Sequence, residues 1–116
     1  MRISDVAAAC GLSADTIRYY EKSGLIPTVG RGADGHRRFS KENVDWLTLL
    51  YWLRETGMSM VQMRRFCSLA QEGDKTKPER RRILVDHAAE LDRRRAQLDR
   101  CEAVLQVKIR SYDKRQ

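Results

Sequence analysis

The chain has 116 residues, 34% of them charged and 41% hydrophobic, with a net charge of +7 from 23 Lys+Arg against 16 Asp+Glu. That length allows one small domain, or a head plus an arm, and the composition is polar but periodic, unlike a disordered chain. The opening Met1-Arg2-Ile3-Ser4-Asp5 is not an apolar signal segment and no run approaches the ~20 apolar residues of a membrane span, so neither secretion nor membrane insertion is expected.

The positive charge suits a polyanionic partner. Its placement qualifies that reading: residues 1–73 carry ten basic and eight acidic side chains, and residues 74–116 carry thirteen and eight. The excess lies in the C-terminal part, so any case for the N-terminal part rests on where single residues fall. The three cysteines, Cys10, Cys67 and Cys101, are widely spaced and form no CxxC, which predicts a cytosolic protein with reduced thiols.

Ile3 to Cys10 reads as a first helix, with Ser4 as N-cap, Asp5 in the first turn and a stripe of Ile3, Val6, Ala7 and Cys10. Gly11 ends it, Leu12 is expected in the core, and Ser13 caps a second helix that Gly24 stops. On this second helix Arg18, Tyr19 and Lys22 are long and polar-tipped, while Ile17 and Tyr20 lie on a different face. A helix of barely three turns is not stable alone, so its neighbours must hold it and its outward face is its purpose. Ala7, Ala8 and Ala9 let the two helices approach closely. Two short helices joined by a glycine-containing turn are a helix-turn-helix; an ordinary αα-corner fits the same spacing.

Leu25 to Phe39 separates the two readings. Gly30, Gly32 and Gly35, with Asp34-Gly35 as a turn pair, predict a hairpin with short strands. Arg31, His36, Arg37 and Arg38 cluster on it against a single acid, Asp34. A basic hairpin directly after a helix-turn-helix is a wing that meets sugar-phosphate. Ser40 then caps a third helix to about Thr56, with a period through Val44, Leu47, Leu50 or Tyr51, and Leu53 or Arg54, and Gly57 stops it. Ser59 and Gln62 have capping-box spacing for a fourth helix that places Met60, Met63, Phe66, Cys67 and Ala70 on one side and ends at Gly73. These sulfur and aromatic side chains are read as core, with a redox role for Cys67 as the alternative.

Both prolines, Pro27 and Pro78, fall in apparent connectors. From Glu79 a long helix is expected to run to the end, with Leu84, Leu91, Leu98, Leu105 and Tyr112 recurring every seven residues and Arg94 and Arg95 interrupting the seam. Self-association satisfies such a seam and predicts a homodimer; folding back on its own head is the alternative. The runs Arg80-Arg81-Arg82 and Arg93-Arg94-Arg95 are read as solvated faces. The expected organisation is a head over 1–73 and a linker with a dimerisation helix over 74–116.

Ile3-Ser4-Asp5-Val6-Ala7, Gly11-Leu12-Ser13, Ile17-Arg18-Tyr19-Tyr20-Glu21, Gly24-Leu25-Ile26, Gly35-His36-Arg37-Arg38-Phe39 and Gly57-Met58-Ser59-Met60 together resemble the MerR family of bacterial transcription regulators. The resemblance implies a mainly α protein: a winged helix-turn-helix head with a small β-hairpin wing, on a long C-terminal helix that forms an antiparallel coiled-coil dimer. It implies binding to a pseudo-palindromic double-stranded promoter whose spacer is too long for RNA polymerase, which the protein reaches indirectly by kinking and untwisting the DNA. Matched by position, Thr16, Arg18, Tyr19 and Tyr20 would contact DNA from the recognition helix, and Arg31, His36, Arg37 and Arg38 from the wing, with Arg54 adding a backbone contact.

The chain departs from the family pattern in places. Phe39 stands where tyrosine is frequent, and Lys77 and Pro78 occupy the region where metal-sensing members carry a cysteine. Length and Glu72-Gly73-Asp74 look more like the small aldehyde- and thiol-stress branch, yet Trp52 replaces that branch's cysteine on the third helix. No cofactor or metal is expected. No paired carboxylates, nucleophile with base or glycine-rich phosphate loop supports an enzyme, and a coiled-coil interaction adaptor is the competing function.

Overall fold

The computed structural model describes residues 1–26 and 29–114. Pro27, expected in a connector, lies outside them. Five α-helices and one hairpin follow in order: α1 Ile3–Cys10, α2 Ala14–Lys22, β1 Gly30–Arg31, β2 Arg37–Arg38, α3 Lys41–Glu55, α4 Met60–Gln71, a 3-10 turn Asp74–Thr76 and α5 Lys77–Asp113. The chain divides into two compact units, Met1–Arg80 and Arg81–Gln116. Packing thus carries the first unit past residue 73. The buried Thr76 hydroxyl donates to Leu69 O at 2.6 Å, and Arg80 Nη2 donates to Gly73 O at 3.2 Å.

Local signals set the boundaries. The expected cap of α1 is displaced: the cap residue is Arg2, whose backbone N–H donates to the Asp5 carboxylate at 3.2 Å, and Ser4 lies inside the helix. Asp5 therefore supplies the return half of a capping box, from the third helical residue back to the cap residue's own N–H. Ser13 caps α2 by accepting from Thr16 N, and Ser40 and Asn43 close a full capping box on α3. Ser59 accepts from Gln62 N on α4, the forward half of the expected box. At the other end of α2, Leu25 N donates to Tyr20 O and Gly24 N to Glu21 O, with Gly24 at φ +77. That is a Schellman motif, which uses glycine's access to the left-handed region. The long helix begins at Lys77, before the expected Glu79, and Pro78 sits in its first turn, where a missing N–H costs nothing.

In the first unit α1 packs against α2 and α3, and α3 against α4. Val6, Ile17, Leu25, Leu47, Leu50 and Met63 are the largest fully buried side chains, and Cys10, Tyr20, Phe39, Leu53, Phe66 and Cys67 pack around them. Each fully buried aliphatic of this kind contributes about 1.5–3 kcal/mol. The two ambiguous positions on α3 resolve in favour of Leu50 and Leu53; Tyr51 is half-buried and Arg54 exposed. On α4 Leu69 is buried where the periodicity marked only Ala70, because the Asp74–Thr76 turn packs back on this helix. Leu12, expected in the core, is half-buried.

Candidate nucleic-acid interface

The hairpin pairs Gly30 with Arg38 and Arg31 with Arg37, antiparallel. Asp34 organises its tip. Its carboxylate accepts from His36 N at 3.1 Å, from Arg2 Nη2 at 2.9 Å and from Arg38 Nη2 at 3.2 Å. The His36 amide first, then the neighbouring guanidinium groups and the His36 side chain, hold the Asp34 carboxyl below its ordinary range. Arg31 Nη1 donates to Gly35 O at 2.8 Å across the turn. Two further links tie the hairpin to the helices. Phe39 N donates to Met1 O at 2.9 Å, which brings the start of α1 beside the wing. Arg37 Nε donates to Glu21 Oε1 at 2.5 Å, which joins the wing to α2, with both side chains largely shielded.

These links create a cleft of about 240 Å³ lined by Arg2, Ile3, Ser4, Arg18, Arg31, His36 and Arg37. Three segments distant in sequence supply it: the entry to α1, the outward face of α2, and both strands of the wing. Four arginines and a histidine line it; Arg2, Arg18 and Arg37 pair with Asp34, Asp15 and Glu21 outside the lining, so the cleft presents guanidinium donors that an anion reaches by sharing or exchanging those partners. Its guanidinium lining suits a sugar-phosphate segment, which such groups meet with paired hydrogen bonds.

Of the residues expected at the interface, the cleft brings together Arg18, Arg31, His36 and Arg37. Arg18 is exposed, its Nη1 paired at 2.9 Å with an Asp15 carboxylate open to solvent, so water or phosphate displaces that partner at little cost. Tyr19 is exposed on α2 and its phenol oxygen accepts from Arg64 Nη2 at 3.2 Å. Thr16 is half-buried, and its hydroxyl accepts from Ser13 Oγ at 2.9 Å within the cap. Arg38 turns to Asp34 rather than to the cleft. Arg54 is held at the far end of α3, where its Nη1 donates to Met58 O at 3.0 Å. Tyr20 departs most from expectation: it is only 4% exposed, and burial raises its phenol pKa. Its place on the Ile17 face makes its ring a core group.

Sequence reasoning missed Arg2 and Ser4. Both sit in a segment whose proximity to the wing is set by the Met1–Phe39 backbone pairing, which has no sequence signal. It also missed Glu21 as the tether of Arg37, although an acid directly after Tyr20 on an outward-facing helix was the available clue.

The remaining candidate chemistry narrows. Cys10 and Cys67 are buried and Cys101 exposed, and among the described residues no group of three or more metal-ligating side chains converges. Burial pushes the Cys67 thiol up to about 11, so it stays protonated, and hence a poor nucleophile, at neutral pH. In the second unit Leu98, Leu105 and Tyr112 are 67%, 55% and 61% exposed, and Val104, Val107 and Ile109 are also open to solvent. No helix among the described residues is long and apolar enough to cross a membrane.

Residues 1–69 match the family model described as MerR HTH family regulatory protein, and residues 44–107 match that described as MerR, DNA binding. The chain belongs to the MerR family. An uncharacterized HTH-type transcriptional regulator of Haemophilus influenzae is 38% identical over 108 residues, which are 93% of this chain and 80% of the relative. The transcriptional regulator AdhR of Bacillus subtilis is 38% identical over 91 residues, 78% of this chain and 65% of AdhR. Among solved structures, HiNmlR, a MerR family regulator lacking the sensor domain and bound to promoter DNA, superposes with a TM-score of 0.85 at 36% identity, covering 97% of this chain and 90% of that one. A MerR family regulator from Bacillus thuringiensis gives 0.80 at 29% identity, with 94% and 96% covered. The chain is thus a MerR-type transcriptional regulator with a DNA-binding domain, in keeping with the expected winged helix-turn-helix and long terminal helix. The adaptor reading is not favoured.

Proposed function

We propose that this MerR-type regulator binds a pseudo-palindromic double-stranded promoter as a cytoplasmic homodimer, with Arg18, Arg31, His36 and Arg37 meeting the DNA in each half-site. The observation that carries this reading is the arginine-lined cleft that joins α2 to the wing. Leu84, Leu91, Leu98, Leu105 and Tyr112 of α5 form the dimer seam in an antiparallel coiled coil. The exposure of the last three in the single chain supports that role, because an apolar heptad seam left in water is costly.

Two heads at a fixed separation select the spacing of half-sites, and a regulator that bends the intervening DNA spends binding energy on deformation. Control of transcription then follows from promoter geometry, with RNA polymerase affected indirectly. The promoter-bound state of HiNmlR is a property of that protein, and it supports the same mode here through the shared fold and 36% identity. No catalytic role and no cofactor enter this reading.

Footprinting on the DNA upstream of the protein's own coding sequence tests it. The expected result is a protected site with two-fold symmetry and cleavage hypersensitivity at its centre. A short asymmetric footprint, or none at moderate salt, would overturn the dimeric reading.

A further inference from the structure

Three long side chains on α2 divide its circumference. Tyr19 and Glu21 are two residues apart, hence roughly 160° apart around the axis, with Arg18 between them on the outward side. Glu21 holds the wing through Arg37. Tyr19, on the opposite flank, holds Arg64 of α4, whose Nη2 donates to the phenol oxygen at 3.2 Å. Tyr19 and Arg64 do not line the wing cleft. Cationic groups therefore stand on both flanks of the recognition helix, one set from the wing and one from α4.

Arg64 differs from its neighbours in its partner. Arg65 is paired with Glu79, Arg37 with Glu21 and Arg18 with Asp15, whereas among the described residues no carboxylate lies within ion-pair distance of Arg64. A neutral phenol accepts one of its hydrogen bonds and leaves the charge and the other donors of a planar fork facing solvent. Ser23 and then Arg64 hold the Tyr19 phenol below its ordinary pKa, the mark of an oxygen surrounded by donors.

A helix lying in the major groove, about 12 Å wide, has a phosphate strand on each side. We propose that Tyr19 and Arg64 form a second phosphate-contact site, which grips the DNA strand across the groove from the one held by the wing cleft. The proposal rests on the DNA-facing reading of α2. Tyr19 acts as the strut: its ring fixes the guanidinium at the helix flank, so that less side-chain freedom is lost when a phosphate arrives.

The test is equilibrium binding of the footprinted operator duplex across a salt series, with thermal melts to verify folding. Arg64 is exposed, so Arg64→Ala is expected to fold. It should weaken binding about five- to tenfold and flatten the slope of log affinity against log salt by about 0.9, the release expected for one phosphate contact. Arg64→Lys should restore the slope, and Tyr19→Phe combined with Arg64→Ala should cost less than the two separate losses together. Neutralising single phosphates as methylphosphonates should reveal one, on the strand opposite the wing's, that matters to the natural protein and not to Arg64→Ala. An unchanged affinity and slope for Arg64→Ala, with Arg37→Ala still weakening binding, would overturn the proposal and leave the wing cleft standing. Weaker binding at an unchanged slope would also overturn it, by reducing Arg64 to a support for Tyr19. If neither Arg64→Ala nor Arg37→Ala affects binding, the DNA-facing reading itself fails.

Discussion

Arg18 and Tyr20 are two residues apart on one short helix, yet one is open to solvent and the other is shut in the core. Only Arg18 has a guanidinium in the cleft with Arg2, Arg31 and Arg37. Replacing Arg18 with Ala is expected to weaken specific promoter binding by about 1–3 kcal/mol if it reads a base edge; a titration at fixed salt measures this, and equal affinity would remove Arg18 from the readout. Cys67 makes the complementary point for the interior. Its thiol is favoured in the protonated form when folded, with a pKa pushed up from 9.0 to about 11. The stability this provides is fully present below pH 9 and is lost as pH rises through 11, up to roughly 2 kcal/mol. Denaturant midpoints should therefore fall over that window, and Cys67→Ala, though less stable at neutral pH, should show a shallower fall. A parallel decline in both proteins would assign the pH dependence elsewhere.

At the scale of elements, caps and turns were the most legible features. Ser13, Ser40 and Ser59 each cap where their spacing predicts, because a cap needs only a side-chain acceptor and the next three residues. Ser4 failed as a cap because Asp5 reaches Arg2 N and starts the helix two residues earlier. Gly11 joins α1 to α2 at φ +87, and a Cβ built there would lie 3.1 Å from two atoms of the Tyr51 ring. Gly11→Ala therefore meets both a left-handed backbone and a crowded ring, and should cost about 1–2 kcal/mol or more in unfolding free energy. Chemical denaturation is the measurement, and a midpoint equal to the parent's would mean that Tyr51 gives way and the turn relaxes. The wing is the least autonomous element. Its strands are two residues each, so its order depends on Asp34, on the Arg37–Glu21 pair and on the Met1–Phe39 pairing.

For the whole molecule, α5 is the element left without cover in the single chain. Its buried positions are none in the single chain, while Leu98, Leu105 and Tyr112 stand in solvent every seven residues. Replacing Leu91 and Leu98 with Asp should convert dimers to monomers in light scattering, because a charge in a dry seam costs several kcal/mol without a partner. A dimer that survives the double change would place the interface elsewhere. Loss of the dimer should also collapse operator affinity, since two linked heads gain from effective concentration.

From the sequence alone came what local chemistry controls: the helix order, the caps of α2, α3 and α4, the hairpin turn, the heptad period of α5 and the outward position of Arg18 and Tyr19. These depend on side-chain spacing within a few residues, which is why they could be read without coordinates. Only the tertiary structure decided that Tyr20 belongs to the core, that Arg38 and Arg54 turn to protein partners, and that Arg2 and Ser4 join the cleft. It also decided that Arg64 reaches Tyr19 across forty-five positions of sequence. Such contacts are set by which helix faces meet and by backbone pairings such as Met1 with Phe39. Spacing says which way a residue points along its own helix, but only the packed chain says what it meets there.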